Sequence, residues 1–248
     1  MVTLPTSKNV PNTNIFPDGE VWCLEGPPKT GKTTMASTFP DALLIDVEGG
    51  GKYVECYRVV PHNLRELEDI ISMLRINSSR YKTIILDSVD LTSLWIERDI
   101  CQSKKVPSIS SIPYGEGRSL LNTRLISLLD DLRSLNKTLV LITHTRDSSG
   151  KHSMLLTEQL ATYVKGHSGI IGFCYKVKKH GKVRCLVDLT GGGDSEAGSR
   201  HPILSKIGDA PNKYSEIVSR FNELVNASGH ATIEVGGNVQ KRAGWSGL

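Results

Sequence analysis

Gly26-Pro27-Pro28-Lys29-Thr30-Gly31-Lys32-Thr33-Thr34 reads G-x-x-x-x-G-K-T, a spacing in which two glycines let the backbone turn tightly and aim successive N–H groups at phosphate oxygens. In such a loop Lys32 reaches the β- and γ-phosphates of a nucleoside triphosphate, and the Thr33 hydroxyl ligates Mg²⁺. Val21-Trp22-Cys23-Leu24 just upstream is an apolar run suited to a buried strand. Residues 34–39 are expected to open a helix whose positive end faces the same anion. Strand, loop and helix thus follow one another in the order the motif requires, and they set the fold class as α/β.

The bulk properties agree. A chain of 248 residues is long enough for one substantial α/β core. Its net charge of +4 permits an anionic partner without demanding one. The five cysteines are scattered and lack C-x-x-C spacing, which argues against a disulfide framework or zinc site and for a reducing, cytoplasmic setting. No apolar run approaches the length of a membrane helix, so no membrane partner is expected.

Residues 1–19 are polar and proline-bearing and read as an irregular arm; residues 20–225 read as the core and 226–248 as a glycine-rich, loose tail. Downstream of the loop, residues 42–48 form an apolar run that ends in Asp46 and Glu48. In a parallel sheet the carboxyl ends of the strands make the ligand edge. There Glu48, more than Asp46, is the candidate to orient or deprotonate the attacking water; the alternative is an ordinary polar strand end. Residues 63–74 have the spacing of an amphipathic helix, with Asn63 and Glu66 resembling a capping box. Thr83-Ile84-Ile85-Leu86-Asp87 is an aliphatic strand ending in a carboxylate, the form that holds Mg²⁺ through water in such enzymes.

A helix is expected over 91–100, a Ser/Pro-rich loop over 101–113, and the longest helix over 117–136, with Leu121, Leu125, Leu128, Leu132 and Leu135 as its buried stripe. Residues 138–143 form another buried strand that ends in His144. His144 is placed either to contact the γ-phosphate or to serve as a satisfied structural group. Arg146 to Gly150 is expected to be mobile, and Arg146 and Lys151 fall on the edge where a second ligand would meet the protein.

Residues 170–179 and 182–189 flank His180-Gly181 and predict a hairpin. Simple alternation would put Lys176, Lys178, Lys182 and Arg184 on one face, with Lys179 besides. That surface would contact nucleic acid or a neighbour's nucleotide, unless it is merely a lysine-guarded edge. Residues 191–200 read as a flexible loop ending in Arg200, and residues 212–226 as a last helix.

Together, residues 26–34, Ile45-Asp46-Val47-Glu48, Ile85-Leu86-Asp87-Ser88 and Leu141-Ile142-Thr143-His144 resemble the motif succession of RecA-like ATPases. The similarity is greatest to the short, core-only RecA-like proteins of phages, related to single-strand-annealing recombinases. Tyr114-Gly115-Glu116-Gly117 and Ala197-Gly198-Ser199-Arg200 also look like that group. The resemblance implies a RecA-like P-loop NTPase fold: a mostly parallel central sheet flanked by helices, with a C-terminal β-hairpin region. It also implies ATP and Mg²⁺ as cofactors, held by the 26–34 loop, with Thr33 and Asp87 at the metal and Glu48 as catalytic carboxylate. By the same resemblance His144 stands where a γ-phosphate-sensing glutamine is usual, and Arg200 reaches a neighbour's ATP. The implied partners are single-stranded DNA, further copies of the chain in a filament or ring, and a single-strand-binding protein, in a host cytoplasm. A hexameric helicase or motor accessory, a small-molecule kinase and a non-enzymatic assembly factor are the competing readings.

Overall fold

The computed structural model describes residues 12–148, 150–179, 181–192 and 195–235. In chain order the elements are β1 (Val21–Gly26), α1 (Lys32–Ser37), β2 (Ala42–Asp46), β3 (Tyr57–Val59), α2 (Leu64–Ile76), β4 (Thr83–Asp87) and α3 (Val89–Lys104). They continue with α4 (Glu116–Arg133), β5 (Thr138–Ser148), β6 (Lys151–Met154), α5 (Glu158–His167), β7 (Ile170–Lys179), β8 (Lys182–Asp188), β9 (Gly198–Ser199), β10 (Asp209–Pro211) and α6 (Tyr214–Val235).

The sheet runs β10-β8-β7-β1-β5-β4-β2-β3. From β7 to β3 every neighbouring pair is parallel, while β8 and β10 extend the β7 side antiparallel. The hairpin is therefore a continuation of the main sheet. Central strands of such a sheet are covered on both faces, which is why β1, β2, β4 and β5 read as continuous apolar runs rather than alternating ones. One face is packed by α2, α3, α4 and α5 through Leu67, Ile71, Ile96, Leu125, Leu129 and Leu160. The other is packed by α1 and α6 through Met35, Ala36, Ile217 and Phe221 around Trp22 and Leu24. This is a mixed α/β architecture with a mostly parallel central sheet between helical layers.

Several local expectations are met. The Asn63 side chain accepts from the Glu66 amide at 2.9 Å and its own amide group donates back to Glu66 Oε1 at 2.9 Å, while Oε2 accepts from the His62 amide, one residue before the N-cap position of a standard capping box. The leucine stripe of α4 is buried from Leu121 to Leu132, with Leu135 partly covered. The 12–19 part of the N-terminal arm is irregular but anchored: Phe16 packs edge-on against Tyr214 and Phe221, with ring centroids 5.6 Å and 5.2 Å apart. Residues 1–11 and 236–248 of the arm and tail lie outside the described residues, and α6 runs on past 226 to Val235.

Two expectations need correction. The segment after His144 is not a mobile loop up to Ser148: β5 continues, and Arg146 and Asp147 pair with Ser153 and His152 of β6. Ser149 lies outside the described residues. The basic hairpin does not present one face either. Lys176 pairs with Cys185, Lys178 with Val183, and Val177 with Arg184. Directly opposed residues share a face, so Lys176 and Lys178 lie on one side, and Lys182 and Arg184 on the other. The cause is the two-residue turn, which opposes residues whose numbers sum to an odd value, so equal parity on the two strands means opposite faces. Lys179 pairs with Lys182 in the ladder, and His180 of the turn lies outside the described residues.

Candidate active site

The carboxyl ends of β1, β2, β4 and β5 meet at one edge, because those strands are parallel and in register: Gly26 lies beside His144, and Asp46 beside Asp87. The 26–34 loop crosses this edge. Gly26 has φ +149°, and a Cβ there would collide with the Cys174 carbonyl of β7, so glycine is required for the loop to leave the sheet. Gly31 has φ +89° and caps α1. The Thr30 hydroxyl donates to the Pro27 carbonyl at 2.8 Å, closing the turn, with Pro28, Lys29 and Thr34 exposed around it.

Lys32 is only 5% exposed, and its ammonium donates to the Gly26 and Pro27 carbonyls, both at 2.9 Å. Burial pushes its pKa below the ordinary lysine value, against the pull of Cys174, Asp87 and Glu48. Thr33 follows one position along α1, and its hydroxyl donates to Asp87 Oδ2 at 2.6 Å. Asp87 is 1% exposed, and its second oxygen, Oδ1, is buried with no hydrogen-bond partner among the described residues. Burial raises the Asp87 carboxyl to about 6; the Thr33 hydrogen bond opposes this, and the Glu48 and Asp46 carboxylates add to it. A buried oxygen without a partner is costly. A hydrated divalent cation is the chemistry that would satisfy it and return the carboxylate to its charged form. The hydroxyl–carboxylate pair therefore fits Mg²⁺ beside a bound triphosphate.

The two acids after β2 separate clearly. Asp46 is fully buried, accepts from the Gly49 and Gly51 amides at 2.8 Å and 2.9 Å, and pairs with Arg58 at 2.6 Å. Asp46 braces the loop. The strand ends at Asp46, so Glu48 is not on it, and its half-exposed carboxylate faces His144, with Oε1 3.9 Å from Nε2. The other ring nitrogen of His144, Nδ1, lies 3.0 Å from Asp90 Oδ2, and the His144 amide donates to Asp90 Oδ1 at 3.0 Å. The Asp90 hydrogen bond raises the His144 pKa above its ordinary 6.5, against burial and the Lys32 charge. Burial alone would raise Asp90, but the bonds from His144 outweigh it and hold Asp90 below the usual aspartate value.

The structure thus gathers residues 26–34, Glu48, Asp87 and His144 at one edge. Arg200 is elsewhere. Its amide donates to the Gly169 carbonyl and its guanidinium to the Gly166 carbonyl, and Gly169 in turn bonds the Val21 carbonyl at the start of β1. Val21 and Gly26 are the two ends of a strand roughly 17 Å long, so Arg200 lies at the edge opposite the loop. Arg146 and Lys151 are exposed near the His144 edge, and Lys176, Lys178 and Lys182 are exposed on the hairpin.

Two neighbours of this edge were not legible. Asp90 lies three residues beyond Asp87 on the first turn of α3, and nothing in the sequence separates it from an ordinary acidic helix start. Asn212 donates to the Gly31 carbonyl at 2.6 Å from 181 positions away, and only the packing of the C-terminal segment on α1 brings it there. Asp90 also lines an open groove of about 760 Å³ with Glu97, Ser108, Ser110, Arg118 and Arg146.

Behind the loop, Glu25 is fully buried, and among the described residues neither carboxylate oxygen receives a well-formed hydrogen bond, the Glu196 amide approaching without completing one. Burial and the Glu196 carboxylate raise it from 4.5 to about 7, with Lys165 and the Glu196 amide opposing. The folded state therefore keeps a proton that the unfolded chain releases above 4.5. Stability should fall as pH rises from 4.5 to about 7 and then level off. Glu25→Gln removes this loss and is expected to stabilise the protein by up to about 3 kcal/mol at pH 8, with little gain at pH 4.5, read by urea unfolding. An equal gain at both pH values would refute the assignment.

The fold and edge geometry are those of a P-loop NTPase-type domain. A family model described as an AAA domain matches residues 19–201, and the chain belongs to that family. It is an AAA-like P-loop ATPase, a class that binds nucleotide, typically with Mg²⁺. A search of curated proteins finds no match. Among the described residues no helix is long and apolar enough to cross a membrane.

Proposed function

We propose that residues 20–225 form a RecA-like core that binds Mg·ATP, hydrolyses it slowly, and uses it to engage single-stranded DNA in recombination or annealing, as the phage core-only proteins it resembles would. The observation that carries the nucleotide chemistry is the Thr33–Asp87 hydrogen bond at 2.6 Å with the second Asp87 oxygen left unpartnered. Lys32 would hold the phosphates, Thr33 and Asp87 the metal, and Glu48 the attacking water. When bound, Mg²⁺ would neutralise phosphate charge; the chain's own residues position the groups around it.

For the nucleic acid, the groove beside His144 is a better candidate than the hairpin, whose cations are divided between two faces. It brings Arg118 and Arg146 together with serine hydroxyls, groups that suit a phosphodiester backbone, although Asp90, Glu97 and Glu158 line the same groove. The aromatics near the hairpin are occupied: Phe173 is buried against His152, and Tyr163 bonds Asp130. Tyr114, on the same loop as Ser108 and Ser110, is fully exposed and offers a stacking face. Arg200, at the edge opposite the loop, suits a head-to-tail assembly in which it meets a neighbour's nucleotide edge. In such an assembly, a filament or ring, hydrolysis would depend on self-association; the setting proposed is a host cytoplasm, in company with a single-strand-binding protein.

The test is ATP turnover with and without single-stranded DNA. Stimulation of roughly tenfold or more, reduced in Arg118→Ala and Arg146→Ala, is expected if the strand promotes assembly. Equal turnover with and without DNA would remove the recombinase reading and leave the ATPase.

A further inference from the structure

One carboxylate of α3 stands between the nucleotide edge and the groove. Asp90 takes two bonds from the same residue, the His144 main-chain amide on one oxygen and the ring Nδ1 on the other, each at 3.0 Å. A two-point hold of this kind fixes the end of the strand and the rotation of the imidazole together. It also settles the tautomer, because an acceptor at Nδ1 requires the proton to lie there. Nε2 is the atom left to act outward, and it points toward Glu48 at 3.9 Å. That distance is too long for a hydrogen bond but close enough for charge attraction. The Asp90 and His144 side chains are 15% and 13% exposed, so the pair is held in a weakly screened setting.

We infer that Asp90 is a positioning residue: it orients the His144 ring so that Nε2 faces the nucleotide edge, and it ties that ring to the groove which Asp90 itself lines. This rests on the proposed ATPase reading of the edge. The charged groups facing the ring are Asp90 from α3, Glu48 from the loop after β2, and Lys32 from α1. The two carboxylates favour the imidazolium, and Lys32 with partial burial disfavours it; the Asp90 contact prevails. A nucleotide's terminal phosphate would compete with Glu48 for Nε2, leaving the Glu48 carboxylate free for water. The groove's occupant would act on the same ring from the other side, through Asp90, beside Arg118 and Arg146.

The experiment is the pH profile of kcat for the full chain, in the wild type, Asp90→Asn, His144→Gln and the double variant. The wild type should lose activity as pH rises through the raised His144 pKa. Asp90→Asn retains an acceptor for the His144 amide but removes the charge. It should move that descending limb to lower pH and cut kcat at neutral pH by about tenfold, with Kd for Mg·ATP changed less than about twofold. The double variant should be no slower than His144→Gln alone, because Asp90 acts through the ring. Nitrogen NMR titration of His144 in the wild type gives a readout free of activity and of variant folding; a pKa below the ordinary 6.5 would overturn the inference. An unshifted limb in an active Asp90→Asn would overturn it alone. A wild type that hydrolyses no ATP would overturn both the ATPase reading and this one.

Discussion

Lys32→Ala is expected to abolish measurable ATP turnover and to weaken Mg·ATP binding by on the order of 100-fold, the scale of removing one buried charged donor from a phosphate site. The side chain is nearly inaccessible and lies inside the loop, where its ammonium bridges the Gly26 and Pro27 carbonyls. Removing it takes away the cation and also leaves both carbonyls without that donor, so part of the loss will come from a loosened loop. Thermal unfolding should be measured beside binding, and a fluorescent nucleotide titration reports the affinity directly. Turnover within about threefold of wild type in Lys32→Ala would withdraw the phosphate-site assignment, since the loop's other lysine, Lys29, is exposed rather than lodged in the turn.

Glu48→Gln should separate binding from chemistry. The substitution is isosteric, and the Glu48 side chain is half-exposed and makes no hydrogen bond among the described residues, while its main-chain amide, bonded to the Asp87 carbonyl, is untouched by the change. Mg·ATP affinity should therefore stay within about threefold, while turnover falls by roughly 10²–10⁴, the range for losing a general base. The matching change at Asp46 should behave in the opposite way. Asp46→Asn weakens a buried pair with Arg58 and disturbs the anchoring of Gly49 and Gly51, so it should cost stability before it costs chemistry. If Glu48→Gln turns over ATP normally, the water-orienting role belongs elsewhere, and the Glu48–His144 approach is only an electrostatic one.

The contrast between these two acids shows how much of the site could be read in advance. Their spacing put both near the phosphates, and the preference for Glu48 came from the motif context. The reason it is the available one is tertiary: Arg58, on the next strand over, claims Asp46, and the strand stops before Glu48. His144 was readable as a candidate because it ends a buried strand. Its orientation was not, because Asp90 looks like any acidic residue in a helix's first turn. The hairpin is visible from its turn residues, but which of its cations share a face is not. Alternation along one strand is local, whereas the pairing that decides which residues share a face depends on the turn's length.

By itself the sequence determined the strand–loop–helix unit around Lys32, the capped and amphipathic helices, and the apolar strands ending in Asp87 and His144. These follow from short-range rules: glycine's access to positive φ, side-chain capping, and the periodicity of apolar residues. The tertiary structure decided which strand ends meet. Placing β5 between β1 and β4 sets His144 beside Gly26 and brings Asp87 against Thr33. It also decided that Arg200 lies at the far edge and that Asp90 and Asn212 belong to the site. Contacts between residues far apart in the chain depend on strand order and helix packing, and no local pattern encodes either.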